Sequence, residues 1–261
     1  MAKRGLWKML AIVATFGLAL ALTGCGDNGG GGGPAFLGDT LNLTGQVYTF
    51  DWDTLRHVRY QGNHPTVSSW PQGGTGEIAN GQLSFQMGRV TANLRELDDV
   101  WPFYDATISP PSARGADLEL WVSSVGGLWR ENVTVRVSGN NETFTFDGVG
   151  FVFVDRDVTV SSGQVVDSWD DNGFTETFTR RAFNISLQEG WNAVRFRGSE
   201  TWGPTSASGT VTISLGNPNV RWMLWDDDDW YDIALSGDLE SLDEAPARQG
   251  RGQFPPSRLR R

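Results

Sequence analysis

The densest group of potential ligands in this 261-residue chain is Trp225-Asp226-Asp227-Asp228-Asp229-Trp230, with Asp232 close behind. Neighbouring carboxylates repel one another unless water or a cation screens them. Calcium takes roughly six to eight oxygen ligands, largely from carboxylates. Asp226, Asp227, Asp228, Asp229 and Asp232 are therefore candidate calcium ligands. Their spacing is not that of an EF-hand loop, and alternate side chains of an extended segment point apart. A hydrated acidic loop is the preferred account. Asp167, Asp170, Asp171 and Asn172 form a second acidic turn, for which Asn172-Gly173 hairpin chemistry is sufficient reason.

Groups that could act as nucleophile or base are few. The two histidines, His57 and His64, lie near Asp51 and Asp53, so a His–Asp pair is conceivable. No Gly-x-Ser-x-Gly elbow or His-Glu-x-x-His motif accompanies them, and loop or surface histidines are the better account. The only lysines are Lys3 and Lys8, which removes a phosphate-loop lysine and a Schiff-base lysine together. Gly74-x-Gly76-x-x-Ala79 fits a dinucleotide fingerprint on paper. That motif needs a buried strand before it and a helix after it. Ser68 to Gln72 does not read as such a strand, and Asn80-Gly81 ends any helix. Two carboxylates would suffice for glycoside hydrolysis, but 31 acidic residues offer no way to choose a pair. The expectation is a non-enzymatic protein without a resident cofactor.

The one cysteine, Cys25, is more telling. Lys3, Arg4 and Lys8 precede Met9 to Leu22, a run that is almost wholly apolar. It is too short for a bilayer span of about 20 residues but suits the core of a signal peptide. It ends in Leu22-Thr23-Gly24-Cys25, which resembles the lipobox of bacterial lipoproteins. The resemblance implies cleavage before Cys25 and acylation of its sulfur and amine. Each buried CH2 adds roughly 0.8 kcal/mol, so two or three acyl chains would anchor firmly. Cleavage would also remove both lysines. The mature chain would then carry 18 Arg against 31 acidic residues, up from a net charge of -10 to a still more acidic balance. That balance argues against a nucleic-acid partner.

These groups need elements to hold them. Residues 25–38 form the acylated Cys and a glycine-rich linker, with Gly29 to Gly33 an unbroken run. Residues 39–237 read as β structure with period-two alternation: Leu41 and Leu43, Leu118, Leu120 and Val122, Val133 and Val135, Phe144 and Phe146, Phe151 and Phe153, Ile185 and Leu187, Val211 and Ile213, Trp222 and Leu224. Asn80-Gly81, Gly139-Asn140 and Asn172-Gly173 supply turn residues. The best helical candidate, Val90 to Asp98, is short. The expected fold is all-β, an antiparallel β-sandwich, with an N-terminal signal helix and a disordered basic tail at 238–261. Pro110-Pro111 marks either a domain split near 109–116 or a loop within one unit, and one unit is favoured.

Four segments carry a second resemblance: Leu43 to Tyr48, Phe153 to Val160, Leu187 to Val194 and Ser214 to Pro218. Together they are similar to a loose set of uncharacterised β-rich bacterial lipoproteins. Leu-x-x-Gly-Trp-Asn also recurs in extracellular β-sandwiches, carbohydrate-binding modules among them. The resemblance implies a β fold and an envelope location, and no catalytic residues. The expected function is that of a lipid-anchored extracytoplasmic protein with a structural or binding role. Its partners would be the membrane and an envelope glycan or protein. A carbohydrate or cell-wall binding module, with Trp129, Trp202 or Trp230 exposed, is one alternative. A glycan-directed hydrolase using paired carboxylates is the other.

Overall fold

The computed structural model describes residues 34–51, 54–123, 125–171 and 173–226. The signal segment, Cys25, the glycine run, Asp227 to Asp229, Trp230, Asp232 and the basic tail lie outside them.

The described chain is all-β. Its nineteen strands are β1 (Phe36–Gly38), β2 (Leu41–Asp51), β3 (Arg56–Arg59), β4 (Val67–Trp70), β5 (Thr75–Ala79), β6 (Gln82–Met87), β7 (Arg95–Glu96), β8 (Thr107–Ser109), β9 (Arg114–Asp117), β10 (Glu119–Val122), β11 (Gly126–Ser138), β12 (Asn141–Val154), β13 (Val158–Ser162), β14 (Val165–Asp171), β15 (Phe174–Arg180), β16 (Phe183–Leu187), β17 (Gly190–Trp202), β18 (Ser206–Leu215) and β19 (Trp222–Asp226). Val90 to Asp98 holds no α-helix; it contains β7 and a single 3-10 turn at Leu97–Asp99. Among the described residues, no helix is long and apolar enough to cross a membrane.

The main sheet runs β14-β15-β18-β17-β12-β11-β19-β2-β6-β5, and a separate sheet runs β16-β13-β8. Pairing is antiparallel except for β15 with β18 and β19 with β2. The expected antiparallel sandwich is thus present, with a covered face on each side of its long central strands. Along β12, Phe151 and Phe153 enter one core with Leu41, Leu83, Trp191 and Trp222. Val152 and Val154 enter a second core with Val158, Val160, Ile185 and Leu187 of the small sheet. The continuous apolar run 151–154 follows, because a strand covered on both faces has no solvent side to alternate with. The segment at 109–116 belongs to this weave: Ser109 pairs with Thr159 and Gly115 with Val154.

Two local signals set the register. The β5–β6 hairpin turns at Asn80 (φ 51°) and Gly81 (φ 74°), the left-handed pair that a two-residue hairpin needs. Gly81 also packs where a Cβ would lie 1.9 Å from the Tyr60 carbonyl oxygen. Gly81→Ala therefore meets both strain and a backbone clash. It should cost about 1–3 kcal/mol in urea unfolding, against a small change for Gly73→Ala, which has no positive φ and whose Cβ would enter open space. The second signal is Gly190-Trp191-Asn192 at the start of β17. Asn192 Oδ1 accepts from the Gln188 N–H at 3.1 Å, and its amide donates to the Gln188 and Gly190 carbonyls at 2.7 and 2.9 Å. Trp191 is fully buried, so this motif is a structural pin.

Candidate functional site

β19 inserts between β11 and β2, with Trp222 opposite both Arg130 and Val47. It starts at Trp222, so the two flanking strands continue beyond it without a bridge. A cavity of about 220 Å³ occupies this notch. Gln46 and Tyr48 of β2, Arg130 and Asn132 of β11, and Asn219 and Arg221 of the approach to β19 line it. No Asp or Glu is among its lining residues.

Local packing fixes each polar group. Gln46 donates from Nε2 to the Val47, Tyr60 and Gly81 carbonyls at 3.0, 3.1 and 2.9 Å, and its Oε1 accepts from Gln82 Nε2 at 2.8 Å. Asn132 Oδ1 accepts from Arg221 twice, from Nη1 at 3.0 Å and the backbone N–H at 3.3 Å. The Arg221 guanidinium lies 5.3 Å from the centre of the Tyr48 ring. Arg130, only 8% exposed, lies 5.9 Å from the Trp222 ring centre and donates to Asn217 Oδ1. Trp222 itself donates to the Thr44 carbonyl at 3.2 Å. A Cβ at Gly45 would sit 3.0 Å from Trp222 Cδ1, so the indole needs glycine there. No ion pair to Arg221 exists among the described residues. Its positive field reaches His57, whose pKa is lowered first by burial and then by Arg221.

A second arrangement lies on the sheet between β17 and β15. The cross-strand rows are Glu200–Gly209–Phe178 and Trp202–Ala207–Glu176. The small residues of β18 leave a trough between two taller rows. A Cβ on Gly209 would meet Phe178 at 2.9 Å and Glu200 Cγ at 3.5 Å. Trp202 stacks on Phe174 at 5.6 Å and 25°. Burial pushes Glu200 up to about 7; the Trp202 indole pulls it back, and the Glu176 charge adds to the rise. Trp202 Nε1 is buried without a hydrogen bond of normal geometry, so its hold on Glu200 is weak. Burial also raises Glu176, against an opposing Trp169 N–H.

The residues singled out from sequence scatter. His57 lies in β3, edge-on to Phe50 at 5.4 Å, and its Nε2 accepts the Val133 N–H at 3.4 Å. His64 shares a 2.5 Å hydrogen bond with the Tyr60 hydroxyl and stacks on that ring. The two histidines are thus engaged in separate places. Val67–Trp70 is a short strand paired with β10, but only Val67 in it is buried, so it is not the buried strand that the fingerprint needs. Gly76 lies inside β5, not at a helix start, so the dinucleotide fingerprint has no helix to serve. Among the described residues, no three His, Cys, Asp or Glu side chains gather as a metal site. Asp226 ends β19 opposite Gly126, and the remaining calcium candidates lie outside the described residues. Trp129 and Trp202 are half-buried against a third cluster that includes Phe50, Phe144 and Trp225. Among the described residues, the exposed indoles are Trp121 and Trp169, on β10 and β14, which are well separated in the sheet order. Arg130 and Arg221 escape a reading by motif. Only phase hints at Arg130, two residues from the buried Leu128 on the same strand face.

The chain matches no family model, and no curated protein or solved structure is similar to it.

Proposed function

We propose that this chain is a lipid-anchored, extracytoplasmic β-sandwich protein of bacterial envelope, with a binding role and no catalytic one. The binding role rests on one observation: the notch beside β19 is lined by guanidinium, amide and hydroxyl groups held in place by packing, with no carboxylate and no nucleophile paired to a base. Such a set orients a ligand; it has no group suited to proton transfer near neutral pH. The anchor rests on the lipobox-like Leu22-Thr23-Gly24-Cys25. The first strand starts at Phe36, so the eleven residues from Cys25 up to it span at most ~40 Å. The body would work close to the bilayer surface.

Cys25→Ser tests the anchor. Lipid labelling of the chain should vanish and the protein should leave the membrane fraction. A variant that still sediments with membrane would remove this part of the reading. The same soluble variant, used to capture binding partners from envelope extract, tests the role. The glycan-hydrolase alternative is favoured by one feature, the Glu176–Glu200 trough with its aromatic walls. It predicts turnover of a glycan substrate lost in Glu200→Gln.

A further inference from the structure

We infer that the cavity between β2, β11 and the start of β19 binds an oxyanionic group, a carboxylate or phosphate, through Arg221 and Arg130. This inference rests on the binding reading above and names the ligand class of the same site.

Four features carry it. The cavity has two guanidiniums on its wall and no carboxylate. Arg221 is oriented by neutral groups alone, the Asn132 amide oxygen and the Tyr48 ring, so its position is fixed without neutralising its charge. A guanidinium presents a planar fork of donors that matches carboxylate or phosphate geometry. Asn132 and the Tyr48 face leave part of that fork for a ligand. Arg130 brings a second cation, 8% exposed, from the neighbouring strand. At the buried Arg130 end of the notch an oxyanion gains more than it would in water, while Arg221 stands at the exposed rim. Gln46, Asn219 and Tyr48 add neutral polar groups around the rim. The space, about 220 Å³, suits one small head group, such as a phosphate or the acidic end of a sugar, and is below the range of typical drug-sized sites.

The chain carries 31 acidic residues against 21 basic ones. Elsewhere on the surface Arg89 meets Asp39 and Glu189, Arg114 meets Glu96, and Arg156 meets Asp155. The notch differs in its lining, which brings two guanidiniums together with neutral polar groups and no Asp or Glu.

The test uses the soluble Cys25→Ser chain with three probes: inorganic phosphate, glucuronate, and vesicles of phosphatidylglycerol. Calorimetric or NMR titration should show saturable binding of phosphate or glucuronate. Arg221→Gln should weaken it at least about tenfold. Asn219→Asp provides an independent check, since Asn219 is exposed and the change adds only a charge to the rim. It too should weaken binding severalfold while leaving the unfolding midpoint close to that of the parent. Co-sedimentation with vesicles that free phosphate reverses would identify a lipid headgroup as the source of the anion. Binding of the small anions without vesicle association would identify a soluble source. If no probe binds, or if both variants bind as tightly as the parent, the oxyanion assignment fails. The fractionation result for Cys25→Ser stands apart from this outcome, so failure of the ligand class is distinguishable from failure of the anchor.

Discussion

Glu131→Gln is expected to stabilise the folded protein by about 3 kcal/mol at pH 8 and to change it little near pH 4. Glu131 is 2% exposed, on the β11 face that also carries Trp129 and Val133. Burial pushes its pKa from 4.5 up to about 7, and a single hydrogen bond from Trp225 Nε1 at 2.9 Å opposes the rise. The sign follows from proton counts. Between about pH 4.5 and 7 the folded chain holds a proton at Glu131 that the unfolded chain has released. Stability from this group is therefore full below pH 4.5 and lost as pH rises through about 7. A shift of that size corresponds to about 3 kcal/mol at 1.36 kcal/mol per unit. Glutamine keeps the shape and the acceptor for Trp225, and it has no charge to bury. Urea unfolding of both proteins at pH 4, 6 and 8 separates the effect from Glu200, which titrates in both. A parent–variant gap that does not widen with pH would refute a neutral, buried Glu131.

Trp191→Ala should be among the most damaging single changes, costing about 3–5 kcal/mol. Trp191 is 0% exposed, meets Phe153 edge to face at 5.5 Å and 71°, and donates to the Gly88 carbonyl at 3.1 Å. Its loss opens a cavity where β12 and β17 pack on the first core, and it leaves that carbonyl without its donor. Trp121, 39% exposed on β10, provides the control; its replacement by Ala should stay within about 0.5 kcal/mol. The midpoint in urea should fall for Trp191→Ala with little change in slope. Equal effects of the two substitutions would contradict the packing described.

The two tryptophans also show what the sequence reveals and what it hides. Period-two alternation located the strands that bury one face, such as Leu41 and Leu43 or Ile185 and Leu187, because burial writes itself into residue type. Asn80-Gly81 marked its turn because few residues tolerate positive φ. The rank of a tryptophan by exposure was not legible. Trp129 and Trp202 stand beside polar neighbours in the chain, yet both pack on aromatic residues brought in from other strands. The cavity was hidden for the same reason. Gln46, Arg130 and Arg221 are far apart in sequence, and the short β19 that brings them together pairs parallel with β2, a contact that no local pattern encodes. Glu131 shares the phase of Trp129 and Val133, which was the one available hint that an acid lies inside.

That parallel pairing bears on the order in which the chain can assemble. Val47 waits for Trp222, and Phe36 waits for Asn192. A chain emerging amino end first, from a ribosome or from a translocation pore, exposes β2 and β6 long before the strand that closes their sheet exists. Contacts of such range form late and slowly. The final strand of the described body is thus the latch of β2. A chain stopped before Trp222 would keep β2 and β11 as bare edges, the kind that recruit other strands and aggregate. Delay is harmless to a polypeptide that must stay threadable until its last strand is through. The same delay is a hazard for one released early into a crowded compartment.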